Sequence, residues 1–153
     1  MKRLGTLGIV GIILLLGMYG CNSYNGLVGL DNTVDEQWSK VETQYQRRAD
    51  LIDNLVKTVQ GAADFERGTL TDVIEARAKA TSMNLDASDL TPENLQKFQA
   101  AQDQLSGALS RLLVTVERYP DLKANQNFLK LQDELAGTEN RIAVARNDFN
   151  QAV

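Results

Sequence analysis

Between Val34 and Val59 the apolar and aromatic positions fall at Val34, Trp38, Val41, Tyr45, Ile52, Leu55 and Val59, and Arg48 takes the one polar place in the same series. The steps alternate four and three, which puts all eight positions on one stripe of a long helix. Two later segments repeat the period. Leu95, Phe98, Gln102, Leu105, Leu109, Leu112, Val116 and Tyr119 make one seam, and Phe128, Leu131, Leu135, Thr138, Ile142, Ala145, Phe149 and Ala152 make another. A helix with such a stripe must bury it against another element, so three stripes in one chain predict a helical bundle. A weaker face at Phe65, Leu70, Val73, Arg77 and Ala80 predicts a further helix.

Stops and starts divide these segments. Gly61 ends the long helix, since glycine is favoured just past a helix end. Asp64 is a candidate N-cap for the next, which runs to about Met83. A single kinked helix is the alternative here, because the 11-residue step from Val59 to Leu70 can stay in register. Residues 84–90 read as a loop. Thr91-Pro92-Glu93 is a strong helix start, with a capping hydroxyl, proline at the first helical position and an acid in the first turn. Pro120 ends that helix after Tyr119, and the last helix is expected from about Asp121. It reaches Val153 in mid-pattern, so it is expected to be truncated at the chain end.

The expected fold class is therefore all-α: an antiparallel up-and-down four-helix bundle with the longest helices, first and last, side by side. Turns at Gly61 and Asp121 at one end would set opposed positions of these two helices to sum to about 182. Tyr45 then faces Gly137, Trp38 faces Val144, and Arg48 comes near Glu134. In that register Gly137 leaves room for the Tyr45 ring.

The bundle follows a different kind of segment. Leu4 to Gly20 carries no charge and is apolar almost throughout. As a helix it is roughly 26 Å long, at the short end of what crosses a bilayer, and it can continue through Cys21–Tyr24. Tyr19 and Tyr24 would lie at the outer interface. A cleaved signal peptide has the same basic and apolar regions, but no A-x-A-like site follows. Gly20-Cys21 resembles the end of a bacterial lipoprotein cleavage box, although Met18 and Tyr19 fit the rest of it poorly. A small apolar residue at the end of a span is the preferred reading of Cys21. The chain thus divides into an N-terminal membrane anchor, a signal-anchor at residues 1–21, and a helical bundle domain at 22–153. Lys2 and Arg3 precede the run, and the next basic residue is Lys40. The positive-inside bias places the N-terminus in the cytoplasm and the bundle outside it, as a single-pass protein of the bacterial cell membrane.

Composition narrows the chemistry. The chain has 153 residues, room for one domain with a real core. Past the apolar run, 14 basic residues stand against 20 acidic ones. That excess argues against nucleic acid and against a polybasic membrane patch. There is no histidine and one cysteine, which removes the commonest general base, the commonest zinc ligand and any internal disulfide. No Glu-x-x-His pair can exist, so a di-iron carboxylate bundle is excluded. There is no glycine-rich phosphate loop, nucleophile elbow, calcium-loop spacing or Ser-x-x-Lys start. The dense cluster Arg47, Arg48, Asp50 and Asp53 reads as a solvated helix face with Arg48 snorkelling from the seam. Asp72 and Glu75 before Arg77 and Lys79 read as surface pairing along one helix. Glu139, Asn140, Arg141 and Arg146 gather on the last helix. No catalytic, cofactor-binding or metal-binding residue is assigned, and no cofactor is expected.

Four stretches carry a family resemblance: YNGLVGLDNTVDEQWSKV (24–41), RRADLIDNLVKTVQGAADFE (47–66), RYPDLKAN (118–125) and TENRIAVARNDFNQAV (138–153). Together they resemble the LemA-like membrane proteins of bacteria. The resemblance implies an N-terminal membrane segment, a four-helix bundle of up-and-down type and no established activity. Family members continue past the position of Val153 and often have proline where this chain has Asp53, so the kink that a proline would give is not implied here. The expected function is that of a non-enzymatic interaction or scaffold module of the envelope. It would be held in the lipid bilayer through residues 4–20 and have a protein partner. The alternative is an envelope sensor or an accessory subunit of a membrane enzyme, in one form a lipoprotein anchored at Cys21.

Overall fold

The computed structural model describes residues 2–62, 65–83, 85 and 89–153, with side chains for residues 28, 29 and 31 onward within those ranges. Among these residues five helices make up the fold: α1 (Lys2–Gln60), α2 (Arg67–Ser82), α3 (Pro92–Val116), α4 (Pro120–Lys123) and α5 (Gln126–Ala152). Among the described residues there is no strand. Four long helices pack in the order α5, α1, α2, α3, and the short α4 bridges α3 to α5.

Helix α1 is 59 residues without a break, a rod of roughly 88 Å at 1.5 Å per residue. Its C-terminal half carries the first seam into the bundle. The expected span at residues 4–20 lies in its N-terminal part, on side chains outside the described residues, as does Cys21. Among the described residues no helix is long and apolar enough to cross a membrane. Asp53 sits within α1 and holds Lys57 one turn on at 2.6 Å.

The helix ends at Gln60, where Gly61 N–H reaches Lys57 O at 3.3 Å and Ala62 N–H reaches Val59 O at 3.0 Å. Helix α2 then runs back along α1, and Arg77 Nε donates to Ala49 O at 2.9 Å. This hairpin rules out the single kinked helix. The helix starts at Arg67 rather than near Asp64, which lies outside the described residues, and Glu66 makes no side-chain cap bond. Ala76, not Arg77, faces the core with Leu70, Val73 and Ala80.

Helix α3 begins as its sequence dictates, with Thr91 Oγ1 accepting from Asn94 N–H at 3.2 Å and Pro92 opening the helix. It stops at Val116, three residues short of the expected end. Arg118 N–H turns back to Thr115 O and Tyr119 N–H to Val116 O, which satisfies the last carbonyls. Pro120 opens the four-residue α4. Asn125 then caps α5, its Oδ1 accepting from Asn127 N–H at 2.9 Å and Phe128 N–H at 3.1 Å.

That cap corrects the register between α1 and α5. The last helix begins at Gln126 instead of Asp121, and the facing positions shift by the same few residues. Trp38 packs on Phe149, with ring centroids 5.2 Å apart, and Arg48 Nε lies 3.0 Å from Glu139; opposed positions sum to 187. Trp38 does not face Val144, which is 61% exposed. Tyr45 does not face Gly137 but meets Phe98 edge-on at 4.9 Å. A Cβ at Gly137 would touch only the Arg141 guanidinium, at 3.6 Å, so this glycine makes no room for a facing ring.

The core has two parts. Ile52, Leu55, Val59, Val73, Leu105 and Leu112 centre the larger one, at the end where α1 turns into α2. Each such aliphatic side chain contributes about 1.5–3 kcal/mol by leaving water. The smaller part, toward the start of α1, is aromatic: Trp38, Tyr45, Phe98 and Phe149 around Val41, Ile142 and Ala145.

Candidate functional site

Between the two core parts lies a polar layer built from one seam position on each of three helices. Arg48 of α1, Gln102 of α3 and Thr138 of α5 are all buried. Arg48 crosses the interior, and its Nη2 donates to Ser106 Oγ on α3 at 2.6 Å. The Ser106 hydroxyl passes a bond on to Gln102 O at 3.1 Å. On the other side Arg48 Nε lies 3.0 Å from Glu139 Oε1 on α5. The carboxylate stands off the N–H axis, so the buried Nε makes an ion pair without an aligned hydrogen bond. The Glu139 side chain is 48% exposed where that of Arg48 is 3% exposed. One end of the pair is therefore desolvated and the other wet. Thr138 donates to Glu134 O and accepts from Arg141 Nη2.

Directly over this layer the fourth side of the bundle is shallow. Helices α1 and α5, α2 and α3, and α1 and α2 pack closely, but α3 and α5 share no comparable backbone contact. A furrow of about 450 Å³ runs between them. Its floor is Leu109 and Leu135; its walls are Ser106, Ser110 and Leu113 on α3 and Gln132, Ala136 and Glu139 on α5. Positions three and four apart share one face of each helix, and Ser106, Ser110 and Ala136 keep that face low.

A second hollow lies between α1, the end of α2 and the start of α3. It is lined by Trp38, Tyr45, Phe98 and Gln102, with Met83 and Leu85 over it. Trp38 Nε1 donates to Leu85 O at 2.7 Å and so ties the connection after α2 to the aromatic core. At about 40 Å³ it has space for ordered water and little else.

Burial raises the Tyr45 phenol, a shift opposed by Arg146 and Arg48. A hydrogen bond from Lys57 lowers the Asp53 carboxyl, and one from Lys40 lowers Glu36. Neither carboxylate lines the furrow or the hollow. Among the described residues no three metal-ligating side chains converge.

The charge clusters seen in the sequence come apart in space. Arg48 goes inward to Glu139, and it is Arg47, not Arg48, that reaches Glu134, at 3.9 Å. Asp50 accepts from Gln46, and Asp53 pairs with Lys57 and Arg77. Asp72 and Lys79 do not pair along α2; they reach across to Arg111 and Gln104 on α3. Arg141 turns to Gln44 on α1. The furrow and the role of Ser106 were not anticipated. The sequence does carry a signal for the buried polar layer beneath the furrow: each of the three strong seams has a polar member at Arg48, Gln102 or Thr138.

With the geometry in view, comparison with known proteins places the chain. The model of the LemA family matches residues 37–153. Protein LemA of Metamycoplasma hominis is 26% identical over 126 residues, which cover 82% of this chain and 54% of that protein. Magnetosome protein MamQ of Magnetospirillum gryphiswaldense is 25% identical over 167 residues, 98% of this chain and 60% of that protein. Magnetosome protein MamQ 2 of Paramagnetospirillum magneticum is 25% identical over 166 residues, 97% of this chain and 60% of that protein. The chain thus spans somewhat more than half the length of the relatives it matches.

Proposed function

The chain belongs to the LemA family, and on that footing we propose that it is a non-enzymatic scaffold of the bacterial envelope. Residues 1–21 serve as its anchor and residues 22–153 present a helical surface to a protein partner. The observation that carries this reading is the unbroken α1. One rod joins the uncharged run at residues 4–20 to the best-buried seam of the bundle, so the bundle cannot swing freely on a flexible linker. Such a rod sets the height and orientation of whatever docks on it. The lack of histidine, the commonest general base, supports a binding role. Lys2 and Arg3 favour a cytoplasmic N-terminus with the bundle outside, and Cys21 remains a free thiol at the end of the span.

Capture from detergent-solubilised membranes tests the reading. The full chain is expected to bring down one stoichiometric protein partner in every growth condition. Capture that depends on an envelope stress signal would replace the scaffold with a sensor, and no partner in any condition would overturn it.

A further inference from the structure

We propose that the furrow between α3 and α5 is the docking site for a partner's amphipathic helix with a basic end, an inference that rests on the scaffold reading. The furrow is the one side of the four-helix arrangement where neighbouring long helices stand apart among the described residues. Its residues on α3 follow at 106, 109, 110 and 113, the spacing that offers a continuous helical face. On α5 the spacing 132, 135, 136 and 139 does the same. The lined stretch of eight residues on each helix is about 12 Å long, which accommodates roughly two turns of a third helix. Leucines form the floor and Ser106, Ser110 and Ala136 keep the walls low, so an apolar stripe can approach closely. Recognition of a helix in such a groove reads anchors at i, i+3, i+4 and i+7.

Charge selects the occupant. Among the described residues no lysine or arginine lines the furrow, and the charged residue in its lining is Glu139. Asp103, exposed and one turn before Ser106, extends the same face at the same end. Beneath that end lies Arg48, too deeply buried to meet a visitor. Glu139 is half-exposed and has acceptor capacity left beyond its contact with Arg48. A helix with lysine or arginine at one end and leucine and alanine in its stripe therefore fits. Pairing two furrows of this chain would leave both acidic ends without a base from the lining of the other copy.

The experiment uses the full chain in a nonionic detergent and two labelled synthetic peptides with the same Leu/Ala stripe. One has lysine at its polar end and the other glutamate. Fluorescence anisotropy reads binding to the wild type, to Ala136→Arg and Ser110→Arg in the furrow walls, and to Val144→Arg on the outward face of α5. All three sites are exposed, and circular dichroism checks that each variant folds. The lysine peptide is expected to bind the wild type and Val144→Arg alike. Its affinity should be at least tenfold weaker for either wall variant, about the effect of one lost good contact. The glutamate peptide should be weaker by a similar factor, with the gap closing at high salt. Equal affinity for wild type and wall variants overturns the proposal, as does preference for the glutamate peptide. A dimer of the chain that Ala136→Arg dissolves, without peptide binding, overturns it in favour of self-association. If the wall variants still capture the membrane partner, the furrow assignment fails while the scaffold reading stands.

Discussion

Trp38→Ala lowers the unfolding free energy by about 3–5 kcal/mol, the usual cost of deleting a buried large aromatic ring. The tryptophan is 5% exposed and touches two other rings, Phe98 at 5.8 Å and Phe149 at 5.2 Å between centroids. Edge-to-face and tilted contacts of this kind add about 0.5–1.5 kcal/mol beyond area alone. The indole N–H also holds Leu85 O. Replacement therefore opens a cavity, removes a staple across α1, α3 and α5, and frees the connection after α2. Trp38→Phe keeps most of the packing and loses the hydrogen bond, so it costs much less, about 1 kcal/mol for the bond. Urea melts of both variants, with unchanged slopes, check the order. A Trp38→Ala cost below that of Trp38→Phe would contradict the packing described.

The second large effect is an asymmetry. Glu139→Ala destabilises the bundle by about 3 kcal/mol, the low end for breaking a buried pair. It strands a guanidinium whose side chain is 3% exposed with Ser106 as its remaining partner. The low end applies because Glu139 itself is half in water, and water can partly replace it. Arg48→Met removes the buried charge, fills similar volume and leaves Glu139 solvated. Its cost stays within about 1 kcal/mol, since replacing a buried ion by an apolar chain is often neutral. Denaturant melts of the two single variants and the double variant measure this. If Arg48→Met costs more than Glu139→Ala, the ion pair is not the reason for the buried arginine.

The unequal roles of Arg48 and Glu139 show what could be read from the chain. Seams of three- and four-residue steps are local, and they identified α1, α3 and α5 and most of the buried positions on them; Ala49, Leu51 and Val56 on α1 and Ala101, Ala108 and Thr115 on α3 are buried beside the seams. Thr91-Pro92 is also local, and α3 starts where it says. The register between helices is not local; it hangs on where the turns fall. The sequence places the last helix from about Asp121, straight after the proline that ends the α3 seam, yet Pro120 and Asp121 open only the single turn of α4. Asn125 makes the effective cap, through bonds to Asn127 and Phe128. A shift of a few residues at that point moved Trp38 from Val144 to Phe149 and Arg48 from Glu134 to Glu139. On α2, Arg77 completes a helical spacing, but its length lets it leave the core for Ala49 O and Asp53, and Ala76 fills the place. The furrow was invisible for another reason. A groove depends on the distance between two helices, and nothing in the period of either seam encodes that distance.

The proposed topology, a bundle outside the cytoplasm on the helix that anchors it, is tested most directly by cysteine labelling in spheroplasts. Val144→Cys, introduced with Cys21→Ser, places one thiol on an exposed turn of α5. A membrane-impermeant maleimide is expected to label it in intact spheroplasts, on protein recovered from the washed membrane fraction. Labelling that appears only after the spheroplasts are lysed would contradict that topology.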